Sequence, residues 1–343
     1  MDYARWATVR LHGMGEARSD TRRDAVAVLR CAVAARGWGS LVRFLCVDSR
    51  QLVPAYDRAV LPLVERTVPD AEERRRIHAT LLSTGVKVGF ALWGYASMAR
   101  VPFDAELTVL GSSFTRLYDD LVDHGDRAGL DTDLASLFAG EPFAPHSRLE
   151  ELLLLLHDAI AVRLPHPPDD PVHPVLRELH TFQLRSRAQR DPGLPLPEVL
   201  EITRGKGGLG MVALLSLLRP GMSAPERALL TELGYVFQLL DDLHDLPLDR
   251  AEGLTTSATL HAFSLTDLAT RIQRLRARFR AHYGTADPLT AHLALTLVGA
   301  LLAPHRGPAR PDRPRRLPRT GALPLLFSRA GNIRPGTRTG PLP

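Results

Sequence analysis

A chain of 343 residues with 45% hydrophobic side chains is long enough for one large or two small domains; no apolar run approaches the roughly 20 residues of a membrane-spanning helix, so a soluble protein without a membrane span is expected. The opening segment MDYARWATVRLHG lacks the uninterrupted apolar core of a secretory signal, and Cys31 and Cys46 give neither a disulfide framework nor a zinc spacing, which points to the cytoplasm. The net charge of +5 suggests an anionic macromolecule until it is divided along the chain: residues 303–343 carry nine Arg and nine Pro against the single acid Asp312, or +8, and residues 1–302 carry −3. No nucleic-acid partner is therefore expected of the body.

From about Arg22 to Leu301 the pattern is helical nearly throughout. DAVAVLRCAVAARGWGSLVRFL (24–45), EELLLLLHDAIAVRL (150–164), RALLTELGYVFQLLDDLHDL (227–246) and LTDLATRIQRLRARFRAHY (265–283) place apolar residues at the three-and-four spacing of amphipathic or buried helices. No period-two strand stands out. Breaks are expected at Pro69 and at the Pro- and Gly-rich segments 100–104, 140–146, 164–174, 191–197 and 219–225, which divide the body into roughly ten helices. No fixed-period repeat is found, so residues 1–302 read as one all-α domain. Residues 303–343, rich in Pro and Arg and without periodicity, read as a disordered tail.

Two segments carry chemistry. LYDDLVDHGD (117–126) contains Asp119, Asp120 and Asp123, and FQLLDDLHDL (237–246) contains Asp241, Asp242 and Asp245, both in D-D-x-x-D spacing. Chance placement of aspartates gives about 0.1 such motif per chain. On a helix the first and last aspartate of each triplet share a face and the middle one points about 100° away. Such crowding of negative charge in apolar helices calls for a cation. Magnesium suits it, because it takes hard oxygen ligands and commonly joins one or two carboxylates to phosphate oxygens. The bland alternative is a pair of solvated helix faces. Of 43 basic residues only Lys87 and Lys206 are lysines, which draws attention to both.

The paired clusters, with FQLLDDLHD as F-Q-x-x-D-D-x-x-D, resemble trans-isoprenyl diphosphate synthases and the wider class I terpenoid synthase superfamily. Gln183 and Lys206 in FQLRSRAQRDPGLPLPEVLEITRGKGG (182–208) are spaced like that family's G-Q and K-T motifs. The resemblance spans roughly residues 70–260. It implies a single-domain antiparallel helical bundle with a central active-site cavity, in which the six aspartates bind three magnesium ions and the diphosphate of a prenyl substrate. Arg127, Lys206 and Gln238 would surround the diphosphate, with Gln183 close by. Phe114, Tyr118, Trp93 and Phe237 would line the hydrocarbon pocket, Phe114 shortening it. A homodimer is also implied.

Departures from the family pattern have a direction. The G-K-R-x-R-P motif that helps bind isopentenyl diphosphate is missing near EERRRIHATLLSTGVKVGF (72–90), although Arg74, Arg75, Arg76 and Lys87 are substitutes to consider. Arg127-Ala128-Gly129 stands where Arg-Arg-Gly is expected, and Gly207 replaces the Thr of K-T. The ionisation apparatus is retained and the co-substrate site is reduced. A magnesium-dependent terpene synthase that cyclises or rearranges one allylic diphosphate is therefore expected; a prenyltransferase condensing it with isopentenyl diphosphate or another acceptor, and a non-catalytic regulatory subunit, are the alternatives. Gly207, Gly208 and Gly210 either break their helix toward the cavity or permit close packing.

Overall fold

Acidic and hydroxyl side chains start the helices. Asp70 accepts hydrogen bonds from the amides of Glu72 and Glu73 at 3.1 and 2.7 Å, and Asp104 does the same for Glu106 and Leu107. Ser147, Ser223 and Ser264 cap later helices, the last in a reciprocal capping box with Asp267. Each such cap satisfies amides that the first helical turn leaves without partners. In the computed structural model, which describes residues 21–302 apart from 126, 165, 168 and 286, these signals open five of the thirteen α-helices, and no strand occurs among the described residues. The protein is all-α; the proposed tail 303–343 lies outside the described residues.

In chain order the helices are α1 (Thr21–Ala34), α2 (Trp38–Cys46), α3 (Leu52–Ala59), α4 (Leu61–Thr67), α5 (Ala71–Ala99), α6 (Ala105–His124), α7 (Leu130–Phe138), α8 (Arg148–Arg163), α9 (Val172–Arg185), α10 (Leu196–Ser216), α11 (Ala224–Glu252), α12 (Leu265–Tyr283) and α13 (Leu289–Leu302). The count exceeds the roughly ten expected because the region before Pro69 is divided into short pieces. Within residues 24–45, for example, Gly37 adopts φ +89°, which ends the helical pattern because only glycine enters that region without strain. Most later breaks fall where Pro and Gly cluster, but those at 125–129 and 253–264 contain glycine without proline.

A single large apolar core runs through most of the helices. No described helix is, on its own, long and apolar enough to cross a membrane. Glu226, buried at the start of α11, accepts hydrogen bonds from Tyr95 of α5 and Tyr283 of α12 at 2.9 and 2.8 Å. Tyr95 is thus a tie between helices.

The most extensively packed helix pair is α10 with α11. A Cβ on Gly207 would lie 2.5 Å from the Gln238 Cβ and 2.8 Å from the Gly234 carbonyl oxygen, and one on Gly208 would lie 2.6 Å from the Thr231 Cγ2. Helix α10 runs unbroken through these glycines. The helix-breaking alternative for Gly207, Gly208 and Gly210 is therefore set aside. At Gly207 and Gly208 the missing side chains let two backbones meet, and a threonine at position 207 would be excluded by the same contacts.

Candidate active site

Helices α6, α7, α8, α9, α10 and α11 line a cavity of about 590 Å³, within the range of small-molecule sites. Its direction follows from helix register. Gly111 faces Leu217 at one end, and Asp119 meets Gln183 at the other, their Oδ1 and Nε2 separated by 2.8 Å. Eight residues of α6 and eleven of α10, from Lys206 to Leu217, separate the two ends, a depth of about 12–16 Å at 1.5 Å per residue.

The polar end gathers residues from four helices. Asp119, Gln183, Lys206, Gln238 and Asp241 all line the cavity there. Burial pushes Asp119 up to about 6, an effect that Lys206 opposes and Asp123 reinforces; its carboxyl oxygen is held by the buried Gln183 amide. Asp242 is buried one position beyond Asp241 and accepts from Gln238 Nε2 at 3.0 Å and Ser257 Oγ at 2.5 Å. Burial raises its pKa, while those hydrogen bonds and Lys206 work against the rise.

Both lysines act on the aspartates of this region, from different helices. Lys206 acts on Asp119 and Asp242. Lys87, on α5, feels Asp241 and Asp245, which favour its charge, although burial and Arg116 together hold its pKa below the usual lysine range. Of the substitutes considered in the segment 72–90, Lys87 is the one near the aspartates; Arg74 and Arg75 donate to carbonyls around the start of α5.

Asp120 is turned away from the cavity, as the 100° step requires. Arg116, one turn earlier, grips both its oxygens at 3.0 and 2.9 Å, so Asp120, expected among the metal ligands, is here the partner of a buried ion pair. Asp123 and Asp245 are half-buried, beyond the cavity wall by one turn, and Arg190 donates to the Asp123 carbonyl. Among the described residues no three of His, Cys, Asp or Glu form a ready metal cluster. Asp119 and Asp241 nevertheless fit magnesium in its usual manner, one or two carboxylates with phosphate oxygens completing the shell.

Other expected site residues separate. Arg127 is committed elsewhere: its guanidinium binds the buried Glu150 at 3.0 Å and Asp133 at 2.7 Å, tying the segment after α6 to the start of α8, and it is not part of the cavity wall. The guanidinium expected at the diphosphate is thus placed in an ion-pair network outside the cavity lining. Trp93 packs beside Phe44 and Phe90, with ring centroids 5.0 and 5.8 Å away, and borders a smaller recess of about 350 Å³ with Arg43 and Phe103. It lies outside the aspartate cavity because its face of α5 looks toward α2. Arg187 clamps the Val122 carbonyl and the Asp131 carboxylate.

Phe114, Tyr118 and Phe237 do line the cavity. The Phe114 and Tyr118 rings are parallel with centroids 6.2 Å apart, and Phe138 of α7, which the sequence did not single out, meets both edge-on. The Tyr118 hydroxyl is 2.7 Å from His180 Nδ1, and His180 Nε2 is 2.9 Å from the Asp131 carbonyl. That carbonyl only accepts, so Nε2 donates to it and Nδ1 accepts from Tyr118. Three histidines that do line the cavity, His157, His166 and His173, were not anticipated; the last two lie in the Pro-rich segment read only as a break.

No protein-family model matches the chain, and no curated protein matches it.

Proposed function

We propose that the protein is a class I terpene synthase that ionises a linear allylic diphosphate, cyclises or rearranges the resulting carbocation, and releases diphosphate. One observation carries this reading. Asp119 and Asp241, from two different helices, line together with Lys206 and two glutamines one end of a cavity whose remaining wall is mainly apolar and aromatic, with His157, His166 and His173 set into it. That polarity matches a substrate with an anionic head and a hydrocarbon tail.

Asp119 and Asp241 would hold magnesium, which when bound supplies positive charge to the leaving diphosphate. Lys206 adds its ammonium, stabilising the charge that develops on the leaving group. Gln183 fixes the orientation of Asp119, and Gln238 fixes Asp242. Past this polar end, Phe114, Tyr118, Phe138 and Phe237 present rings to the hydrocarbon, and each ring face stabilises a cation by roughly 0.5–2 kcal/mol. The apolar wall keeps water from the cation.

The test is incubation of the purified protein with magnesium and geranyl, farnesyl or geranylgeranyl diphosphate, each with and without isopentenyl diphosphate, followed by mass analysis of extracted products. A terpene hydrocarbon or alcohol formed from one substrate alone, and lost in Asp119→Ala, is the expected result. Longer diphosphates formed only with isopentenyl diphosphate would make the protein a prenyltransferase instead.

A further inference from the structure

The end of the cavity remote from the aspartates contains a second set of titratable groups that diphosphate ionisation does not use. His166 Nδ1 lies 3.0 Å from Asp170 Oδ2. The Asp170 carboxylate also accepts from the amide of Val172, where α9 begins, at 2.8 Å, and from that of Gly221, after α10, at 3.1 Å. The pair is well shielded, with side-chain exposures of 13% for His166 and 3% for Asp170. His166 lines the cavity, whereas Asp170 sits behind it, joined to two segments of backbone. The imidazole is therefore held on the framework of the cavity.

Asp170 fixes the tautomer. Burial works to raise its pKa, but the bonds from His166 and from the two amides together hold it below the usual carboxylate range. An ionised carboxylate accepts only, so the neutral imidazole donates through Nδ1 and keeps its lone pair on Nε2. The neighbouring cavity histidines are less well placed. His157 has a 36% exposed side chain beside the largely exposed Asp158, and His173 Nε2 is engaged with the Pro167 carbonyl at 3.0 Å.

Resting on the proposed synthase activity, we infer that His166, positioned by Asp170, is the base that ends the reaction by taking a proton from the carbocation. A C–H bond next to the cationic carbon breaks, and its electron pair forms the new C=C bond. The proton goes to His166 Nε2, and the resulting imidazolium is stabilised by Asp170. His166 stands near the start of α9, and eleven residues, about 16 Å of helix, separate Val172 from Gln183 at the polar end. It thus serves cations whose charge has moved to the end of the skeleton away from the diphosphate. The product is an olefin.

The test compares wild-type protein with His166→Gln, His166→Phe and Asp170→Asn, supplying magnesium and geranyl, farnesyl or geranylgeranyl diphosphate and measuring both diphosphate release and product distribution. Gln keeps a polar group without a base, and Phe keeps a ring, so the two histidine variants guard against a simple packing defect. Diphosphate release is expected to stay within a few-fold of wild type, while the share of the main olefin falls by about tenfold or more, replaced by alcohols or isomeric olefins. An unchanged distribution in both histidine variants, or loss of diphosphate release in both, would overturn the assignment of the base while leaving the synthase reading in place. Wild-type protein that releases diphosphate from none of the three substrates would instead overturn the synthase reading, and the base with it.

Discussion

Adjacent aspartates in the first cluster face opposite fates. Asp119 looks into the cavity, and burial lifts its pKa to about 6, so carrying a charge there costs stability that an uncharged side chain would recover. Asp119→Asn retains an oxygen for Gln183 and removes the charge. It is expected to abolish turnover while raising stability at pH 7 by about 1–3 kcal/mol, the usual opposition between stability and function at such a site. Asp120 behaves in the reverse sense. Its ion pair with Arg116 has side-chain exposures of 5% and 14%, and removing one partner of a buried pair typically costs about 3–5 kcal/mol. Asp120→Ala should therefore lower the urea midpoint sharply, and Asp120→Leu combined with Arg116→Met should restore much of it. Equal stability losses for Asp119→Asn and Asp120→Ala would show that the two carboxylates are not divided in this way.

At the scale of elements, the site depends on how closely α10 and α11 approach. Gly207 and Gly234 face each other, and two residues within one turn of them, Lys206 just before Gly207 and Gln238 four residues after Gly234, form part of the polar end. Gly207→Ala must displace Gln238 or separate the helices, and overpacking of this kind costs about 1–3 kcal/mol. A lower thermal midpoint is expected together with a larger KM for the allylic diphosphate; an unchanged midpoint would mean that the seam can open without loss. The sequence reached part of this. Its helical periodicity and Pro/Gly breaks located most of the elements after Pro69, and the D-D-x-x-D spacing located the two helices that supply Asp119 and Asp241. It could not locate the partners of Arg127 and Trp93, because which face of a helix meets which neighbour is settled by packing over long range. Nor did it separate Asp120 from Asp119 in role, since an arginine at the i−4 position becomes informative only once both side chains are seen to be buried. The histidines at the far end of the cavity had no spacing signature at all: His166 and Asp170 meet in a Pro-rich segment whose only legible property was that it interrupts a helix.

For the molecule as a whole, three helices from distant parts of the chain meet at His292. It is 1% exposed on α13, with its ring centroid 4.4 Å from that of Phe90 on α5 and 5.6 Å from that of Phe237 on α11. Burial lowers its pKa to about 3, against an ordinary value of about 6.5 for histidine. The unfolded chain therefore binds a proton at His292 that the folded protein refuses, and stability is lost as pH falls below about 6.5 and continues to be lost until the folded-state value is reached. At pH 5 the unfolded histidine is about 1.5 units below its own pKa, which amounts to roughly 2 kcal/mol from this one group. His292→Leu keeps an apolar side chain in the same junction and removes the titration. Urea unfolding at pH 7 and pH 5 should show the wild-type protein losing about 2 kcal/mol more than the variant across that interval, the carboxylates and other histidines cancelling in the difference. If both proteins lose the same amount, His292 is protonated in the folded state as readily as in the unfolded one, and the junction of α5, α11 and α13 is wetter than its packing indicates.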